Sequence, residues 1–415
     1  MYVKKLNIEN FRGVRKMELE LHPRMNVFIG INGAGKSSVL DALGYLLTPF
    51  VELFRETYEI IHSSPPKGFP ESEIHNDEPW SLLKLAIARE NLPDLIYGRH
   101  SFRTQKSPKL SPNTHPSKWQ SYFEREGNRN LIVYYRVRRE VDKIPIDAWT
   151  DRNFRRGDAF VDALAPKVDF KEFFEWFRNR EDLEYEERAN KINERDSQLE
   201  SVREVIGTFC DALKDVRVHR RDPLRMVVTK NDRELRIEQL SDGEKCLLAM
   251  VGDLARRMAI ANPTLDDPLH GEGVVLIDEV DLHLHPQWQR MILPRLMSTF
   301  PNCQFIVSTH SPQVLGELKS EYVFILSDGE NGIKAKQPAY EIYGQTSGTL
   351  LEDMMQTPER SGGIKTKIKE SFEALELGSI DEAKRLIGEL RAEAADIPDL
   401  HRLDMRFSRK EAVEK

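Results

Sequence analysis

Hydrophobic and polar residues alternate at the start of the chain. Leu6 and Ile8, then Met17, Leu19 and Leu21, stand one residue apart, the period of a strand with one buried face. Two strands are predicted within residues 1–21, with a turn at Asn10-Phe11-Arg12-Gly13. Met25–Ile29 reads as a short buried strand, and residues 38–43 begin a helix. From about 51 to 130 the pattern fades. Pro65, Pro66, Pro70, Pro79, Pro93, Pro108, Pro112 and Pro116 punctuate it, so a loop-rich insertion is expected. Leu131–Tyr135 restores a strongly apolar strand. Phe170, Phe173, Phe174 and Phe177 share one helix face, expected to be core. Residues 181–203 read as a charge-dense helix, expected to be a short exposed arm.

Strand character returns over residues 216–237, around a turn at Lys230-Asn231-Asp232, before an apolar helix at 246–261. Apolar strands follow at 273–279, 304–308 and 322–326. The tail from about Glu341 is helical. Ile364, Ile368, Phe372 and Leu375 mark one helix. Ser379 and Glu382, spaced as a capping box, open a second with Leu386, Ile387 and Leu390 on one face.

Gly30-Ile31-Asn32-Gly33-Ala34-Gly35-Lys36-Ser37 lies between the predicted strand at Met25–Ile29 and its helix. It reads G-x-x-x-x-G-K-S, the Walker A phosphate loop. Glycines let backbone N–H groups wrap a phosphate, and the following helix adds its positive end. Asn32, Gly33, Gly35, Lys36, Ser37 and Ser38 are the candidate ATP-binding residues. Lys36 can reach the β- and γ-phosphates, and the Ser37 hydroxyl can hold Mg²⁺.

The other candidates follow in a definite order. Asp278 at a strand end is a second Mg²⁺ ligand, and Glu279 is the candidate base for the attacking water. His310, ending the next strand, is expected at the γ-phosphate. Ser241, Asp242, Gly243 and Glu244 open a helix, a second anion site. One head already has its phosphate loop, so this second site makes sense if it closes over another subunit's ATP. His283 and His285 are spaced H-x-H, which we read as a loop rather than a zinc site. Arg12 is either a nucleotide contact or a solvated turn residue.

The 415 residues allow a large core, and 40% hydrophobic with 31% charged residues is a globular balance. A net charge of −7 limits nucleic-acid contact to local patches. Two basic segments qualify. One is 99–118, with Arg99, Arg103, Lys106, Lys109, Lys118 and no acid; the other is 217–236. A solvated loop is the alternative for the first. Cys210, Cys246 and Cys303 form no metal spacing and suit a reducing compartment. No apolar run reaches about 18 residues and no leader pattern is visible, so we expect a cytoplasmic protein that does not enter membranes.

Leu6 to Gly13, together with Asp281-Leu282-His283-Leu284-His285-Pro286, resembles the ABC-type heads that work on nucleic acids. These include RecF, structural-maintenance-of-chromosomes proteins and the overcoming-lysogenization-defect family. Leu240-Ser241-Asp242-Gly243-Glu244 resembles their signature motif, acting in trans, and Asp281 their D-loop acid. Residues 131–139 and 240–261 are closer to PtuA-type ATPases of Septu anti-phage systems and related retrons.

The resemblance implies an α/β ABC-type P-loop ATPase head with a mixed central sheet, an antiparallel β subdomain, a helical insertion and a C-terminal helical tail. The head is expected in two parts, 1–50 and 211–340, with an insertion at 51–210 and a partner or oligomer region at 341–415. It implies slow ATP hydrolysis with Mg²⁺ between two head-to-tail copies, or a higher even oligomer. It also implies a separate HNH nuclease partner and, in a retron, a reverse transcriptase with its RNA–DNA product.

Two departures stand out. Tyr135-Arg136 occupies the place of the usual Gln after the strand. The roughly 100 residues after His310 are too few for a Toprim nuclease, so no nuclease site is expected in the chain. The alternative reading is a RecF-like repair ATPase that clamps DNA alone. A transporter subunit fits poorly, because roughly 200 residues separate the two phosphate motifs. A module that holds ATP without turning it over is the remaining option.

Overall fold

The computed structural model describes residues 1–55, 69–103, 109–110, 120–125, 127–137, 154–165, 170–189, 195–220, 224–329, 332–355, 362–394 and 397–414. Pro65, Pro66, Pro108, Pro112, Pro116, Lys106, Lys118, Arg138 and Arg139 lie outside them.

Among the described residues the first unit, Met1–Gln345, holds two large sheets and two small ones, one two-stranded and one three-stranded. Strands β1 (Tyr2–Phe11), β2 (Val14–Glu20), β4 (Trp80–Ala88), β5 (Leu95–Phe102) and β6 (Lys109–Leu110) form an antiparallel sheet in the order β2-β1-β4-β5-β6. The second sheet contains β3 (Met25–Ile29), β9 (Leu131–Tyr135), β13 (Gly273–Ile277), β14 (Cys303–Thr309), β15 (Val323–Ser327) and β16 (Lys334–Lys336). Its order is β16-β15-β3-β14-β13-β9, and every neighbouring pair except β15 with β16 is parallel. The predicted mixed α/β head with an antiparallel β subdomain is therefore present. Helix α1 (Lys36–Arg55) touches strands of both sheets. It is apolar enough by length and composition to cross a membrane. Here Leu40, Leu43, Leu46, Leu47 and Phe50 are fully enclosed by protein.

Among the described residues of the proline-rich stretch, regular strands replace part of the expected loop. β4 and β5 stand where a loop-rich insertion was expected, and short elements follow at α2 (Gln120–Phe123), β7 (Glu124–Arg125) and β8 (Asn128–Arg129). Arg99 is not a solvated or phosphate-facing loop residue. It lies in β5, is 1% exposed, and donates to the carbonyl of Tyr45 at 2.7 Å. Pro49 explains this contact. A proline has no N–H for the carbonyl four residues back, so Tyr45 loses its helical partner and Arg99 replaces it. Arg103 is likewise committed, donating to the carbonyls of Glu78, Ile74 and His75.

The expected exposed arm is also corrected. Helix α3 (Phe170–Ala189) precedes α4 (Ser197–Phe209), and Glu181 and Glu184 are 1% and 2% exposed. Arg203 reaches both acids, and Arg220 reaches Glu181. Charge density signals a solvated helix only when the charges lack partners; here Arg203 folds back from α4 and Arg220 comes from beyond residue 219. Phe173, Phe174 and Phe177 are core, as expected. Strands β10 (Lys214–His219), β11 (Arg225–Lys230) and β12 (Arg233–Arg236) form a separate antiparallel sheet. Within its basic segment Arg217 pairs with Glu234 and Lys230 with Glu244. Helices α5 (Asp242–Ala261) and α6 (Pro286–Thr299) complete the unit.

The second unit, Thr346–Lys415, contains α7 (Ser347–Met355), α8 (Gly362–Glu376), α9 (Ile380–Glu393) and α10 (Pro398–Glu414). Leu375, Ala383, Leu386, Ile387, Leu390, Leu400 and Leu403 form its core, so a third helix joins the expected pair. The Ser379–Glu382 capping box does not form. The Ser379 N–H instead bonds the carbonyl of Ala374 at 2.9 Å, and the Gly378 N–H that of Leu375, with Gly378 at φ +76°. That is a Schellman closure of α8. It uses the N–H that the box would need, and Glu382 pairs with Arg385.

The Pro49–Arg99 argument is testable by a double-mutant cycle. Arg99→Met should lose about 1–3 kcal/mol of stability, the cost of an unsatisfied buried carbonyl. In a Pro49→Ala background the loss should shrink by at least about 0.5 kcal/mol, because the substituted residue would supply its own N–H. Equal urea-midpoint shifts in both backgrounds would refute the linkage.

Candidate functional site

The phosphate loop joins β3 to α1 through backbone that favours glycine. Gly30 has φ +154°, and a Cβ there would stand 2.4 Å from the carbonyl oxygen of Leu326. Gly35 has φ +88°. Lys36 is 5% exposed, and its Nζ donates to the carbonyls of Gly30 at 2.8 Å and Ile31 at 3.0 Å. Burial pushes its pKa below the usual lysine value, against the pull of Glu279, Asp278 and Asp281. Asn32 and Gly33 are exposed on the loop, and Ser38 is buried in the first turn of α1.

The ends of β9, β13 and β14 bring the acids to this loop. The Asp278 N–H bonds the carbonyl of Tyr135 at 2.8 Å. Its Oδ1 accepts from Ser308 Oγ at 2.5 Å and from Ser37 Oγ at 3.2 Å. Two oxygens on adjacent corners of an octahedral Mg²⁺ lie about 2.9 Å apart, given bonds of about 2.0–2.1 Å. Ser37 and Asp278 therefore suit that ion in donor chemistry and separation. Glu279 adopts φ +48°, a left-handed conformation that non-glycine residues rarely take. Ser308 holds it there: its Oγ accepts the Glu279 N–H at 2.8 Å and its carbonyl the Val280 N–H at 3.0 Å.

His310 stands between the two halves of the site. Its Nδ1 is 3.4 Å from Lys36 Nζ and its Nε2 is 3.9 Å from Glu279 Oε1. Lys36 offers only donors, which assigns Nδ1 as acceptor and the proton to Nε2, facing Glu279. Burial, then Lys36, lowers the imidazole pKa against three nearby acids. Asp281 fixes the strand end behind it, accepting from Thr309 Oγ1 at 2.5 Å and from the His310 N–H at 3.3 Å.

The Ser241–Glu244 segment makes its own set of contacts. Ser241 caps α5 in a reciprocal capping box with Glu244, and Lys230 Nζ reaches Glu244 Oε1 at 2.6 Å. Asp242 is exposed and pairs with Lys245. The side chains of Ser241, Asp242 and Glu244 are thus engaged with one another, with Lys230 and with Lys245, and not with the phosphate loop. Gly243 packs on the loop after Asp281: a Cβ there would meet the carbonyl oxygen of His283 at 2.4 Å. His285 caps α6 with its ring, and among the described residues no group of three or more His, Cys, Asp or Glu side chains could hold a metal.

Several participants were not singled out from the sequence. Ser308 was visible only as a polar end to an apolar strand. Asp41, one turn past Ser37 in α1, accepts from Arg12 at 2.7 Å, from Tyr134 Oη at 3.1 Å and from Arg136. Arg12 also bonds Glu73. Arg12 is thus held by acids in this structure rather than solvated. Arg136, standing where a Gln was expected, stacks its guanidinium 4.3 Å from the Tyr134 ring centre.

Residues 25–316 match the family described as AAA domain, putative AbiEii toxin, Type IV TA system. The chain is 31% identical over 388 residues to the Retron Vc95 probable ATPase of Vibrio cholerae serotype O1 biovar El Tor, spanning 80% of this chain and 74% of that one. It is 21% identical over 371 residues to the Septu protein PtuA of Bacillus thuringiensis, spanning 86% and 84% respectively. Among solved structures, the SMC head domain from Thermotoga maritima aligns with a TM-score of 0.46 at 17% identity, covering 82% of this chain and 100% of that one.

Two substitutions test this geometry. Lys36→Ala should weaken binding of a fluorescent ATP analogue at least about tenfold, the worth of a charge-assisted bond; unchanged affinity would remove Lys36 from the phosphate site. Gly243→Ala must displace the His283 carbonyl, at a cost of about 1–3 kcal/mol. A melting temperature equal to the parent's would show that this contact is looser than the structure has it.

Proposed function

The chain belongs to the AAA-domain family described as putative AbiEii toxin, Type IV TA system, and is an ATPase of the retron and Septu PtuA type; from that premise we propose how it works and with what. One observation carries the reading: Lys36, Ser37, Asp278, Glu279 and His310 converge at one edge of the parallel sheet, where open α/β folds bind ligands.

In this reading the loop from Gly30 to Ser38, with Asn32, Gly33 and Gly35, wraps the ATP phosphates through backbone N–H groups. Lys36 leaves its loop carbonyls for the β- and γ-phosphates. Ser37 and Asp278 hold Mg²⁺, which offsets charge on the phosphate oxygens. Glu279, whose backbone Ser308 has locked, orients a water and takes its proton. His310 keeps Nε2–H toward Glu279 and the reacting phosphate. The segment Ser241, Asp242, Gly243 and Glu244 presents the start of α5 to the ATP of a second copy, in a head-to-tail pair or a higher even oligomer, with Glu244 holding the cap rather than meeting the phosphate. The side chains of Ser241, Asp242 and Glu244 bond one another, Lys230 and Lys245 rather than the chain's own phosphate loop, which supports this. Asp281 lines the seam. Turnover is slow.

The chain is the sensor or regulatory subunit of a cytoplasmic anti-phage complex. Its nucleotide state restrains or licenses a separate HNH nuclease, joined in a retron by a reverse transcriptase and its RNA–DNA product. The chain itself cuts no nucleic acid. The names of its retron and Septu relatives support the defence role.

Gentle purification of the tagged chain from its own gene neighbourhood should yield a stoichiometric nuclease; a lone dimer carrying DNA would favour a repair-type clamp instead. Glu279→Gln should keep ATP binding and lower turnover by about 10²–10⁴-fold. An untouched hydrolysis rate would remove Glu279 as the base.

A further inference from the structure

We propose that Lys230 is a positioning residue for the site acting in trans: it neutralises Glu244, so that the first turn of α5, capped by Ser241, can receive the terminal phosphate of a triphosphate held by a second copy of this chain. The inference rests on the head-to-tail reading above.

A conflict of charges leads to it. Glu244 is 4% exposed and stands in the first turn of α5. The first amides of a helix, with its dipole, attract an anion. A carboxylate in the same turn repels one, and burial strengthens the repulsion. Yet Glu244 is needed where it is. Its Oε2 takes the Ser241 N–H at 3.1 Å and the Ser241 hydroxyl at 2.8 Å, which fixes the cap. Burial pushes the Glu244 pKa up, but bonds from Lys230 and Ser241 overcome it and keep the carboxylate ionised.

Lys230 resolves the conflict without disturbing the cap. Its Nζ sits 2.6 Å from Oε1, the oxygen Ser241 does not use. The pair carries no net charge, and the other acid of the first turn, the exposed Asp242, is paired with Lys245. Lys230 is also held in place by its own fold. It closes β11 opposite Arg233 of β12, with Asn231 and Asp232 between them at φ +50° and +59°. Both central residues in the left-handed region make a type I′ hairpin, a rigid two-residue turn. The helix end is also packed closely, with Gly243 seated against the His283 carbonyl.

The test uses the full chain carrying Glu279→Gln, so that bound Mg-ATP persists. ATP-driven self-association is measured by sedimentation velocity, and ATP binding to the dilute chain by a fluorescent analogue. Lys230→Ala should weaken association about tenfold or more while leaving binding to the separate chain within about twofold. Lys230→Arg should restore it. Lys230→Ala combined with Glu244→Gln should also recover much of it, since no uncompensated charge remains; a merely structural role for Lys230 would not be rescued this way. Full association by Lys230→Ala, where Ser241→Arg abolishes it, would overturn the role of Lys230 alone. Full association by both variants would overturn the head-to-tail reading and this inference with it. Failure of the double variant to recover would show that Glu244 repulsion is not the reason for Lys230.

Discussion

Three elements meet at one carboxylic acid. The Asp278 backbone is tied to β9 through Tyr135, and its side chain to β14 through Ser308 and to α1 through Ser37. A parallel sheet ends all its strands on one edge, and connections between them supply the reactive groups. Asp278 is where that edge is stitched across. The same Ser308 holds Glu279 in a backbone conformation it would not adopt alone. Strain of this kind, on the order of 1–3 kcal/mol, persists only where surrounding contacts over-determine it. Here they include a hydroxyl and a carbonyl from the neighbouring strand.

The rest of the head keeps that edge in register. Helix α1 carries Ser37 and Asp41 and is enclosed between two sheets, so its polar defects must be met internally. Arg99 meets the one created by Pro49. On the far side of the sheet, Tyr135 donates to Asp253, a buried acid that also binds Arg256 and Arg257 and is held down to about 2 against the cost of burial. Buried ions are tolerated when each is paired and hydrogen-bonded. Loop 279–285 then carries Glu279, the acid that fixes His310, and the carbonyl on which Gly243 rests. The chain's own site and its outward-facing helix end thus share one short segment.

Much of this was legible beforehand. The strand and helix flanking residues 30–37, the strands that end beside Asp278 and His310, the strands on either side of Arg12 and a helix beginning near Ser241 all came from local pattern, and those elements are present. Residues 80–102 were not recognised as strands, because several apolar positions run consecutively and proline density argued for loop. Glu181 and Glu184 were read as exposed because residues 181–203 were taken as one helix, whereas α3 ends at Ala189 and α4 begins at Ser197, and Arg203 of the second faces the acids of the first. Ser379 and Glu382 had the right spacing for a capping box, but a preceding glycine turn had already used the amide.

Local spacing determined which chemistry this chain carries. A glycine pattern dictates a phosphate loop, and a polar end to an apolar strand dictates a sheet-edge ligand, because both depend on backbone geometry within a few residues. The tertiary structure alone decided which charges are spent on one another. Arg99 with Tyr45, Glu181 with Arg203 and Lys230 with Glu244 are pairs across long sequence separations or between elements. Desolvation makes an unpaired buried charge costly, but it leaves open which partner answers; only the packing of the elements brings a particular one within reach.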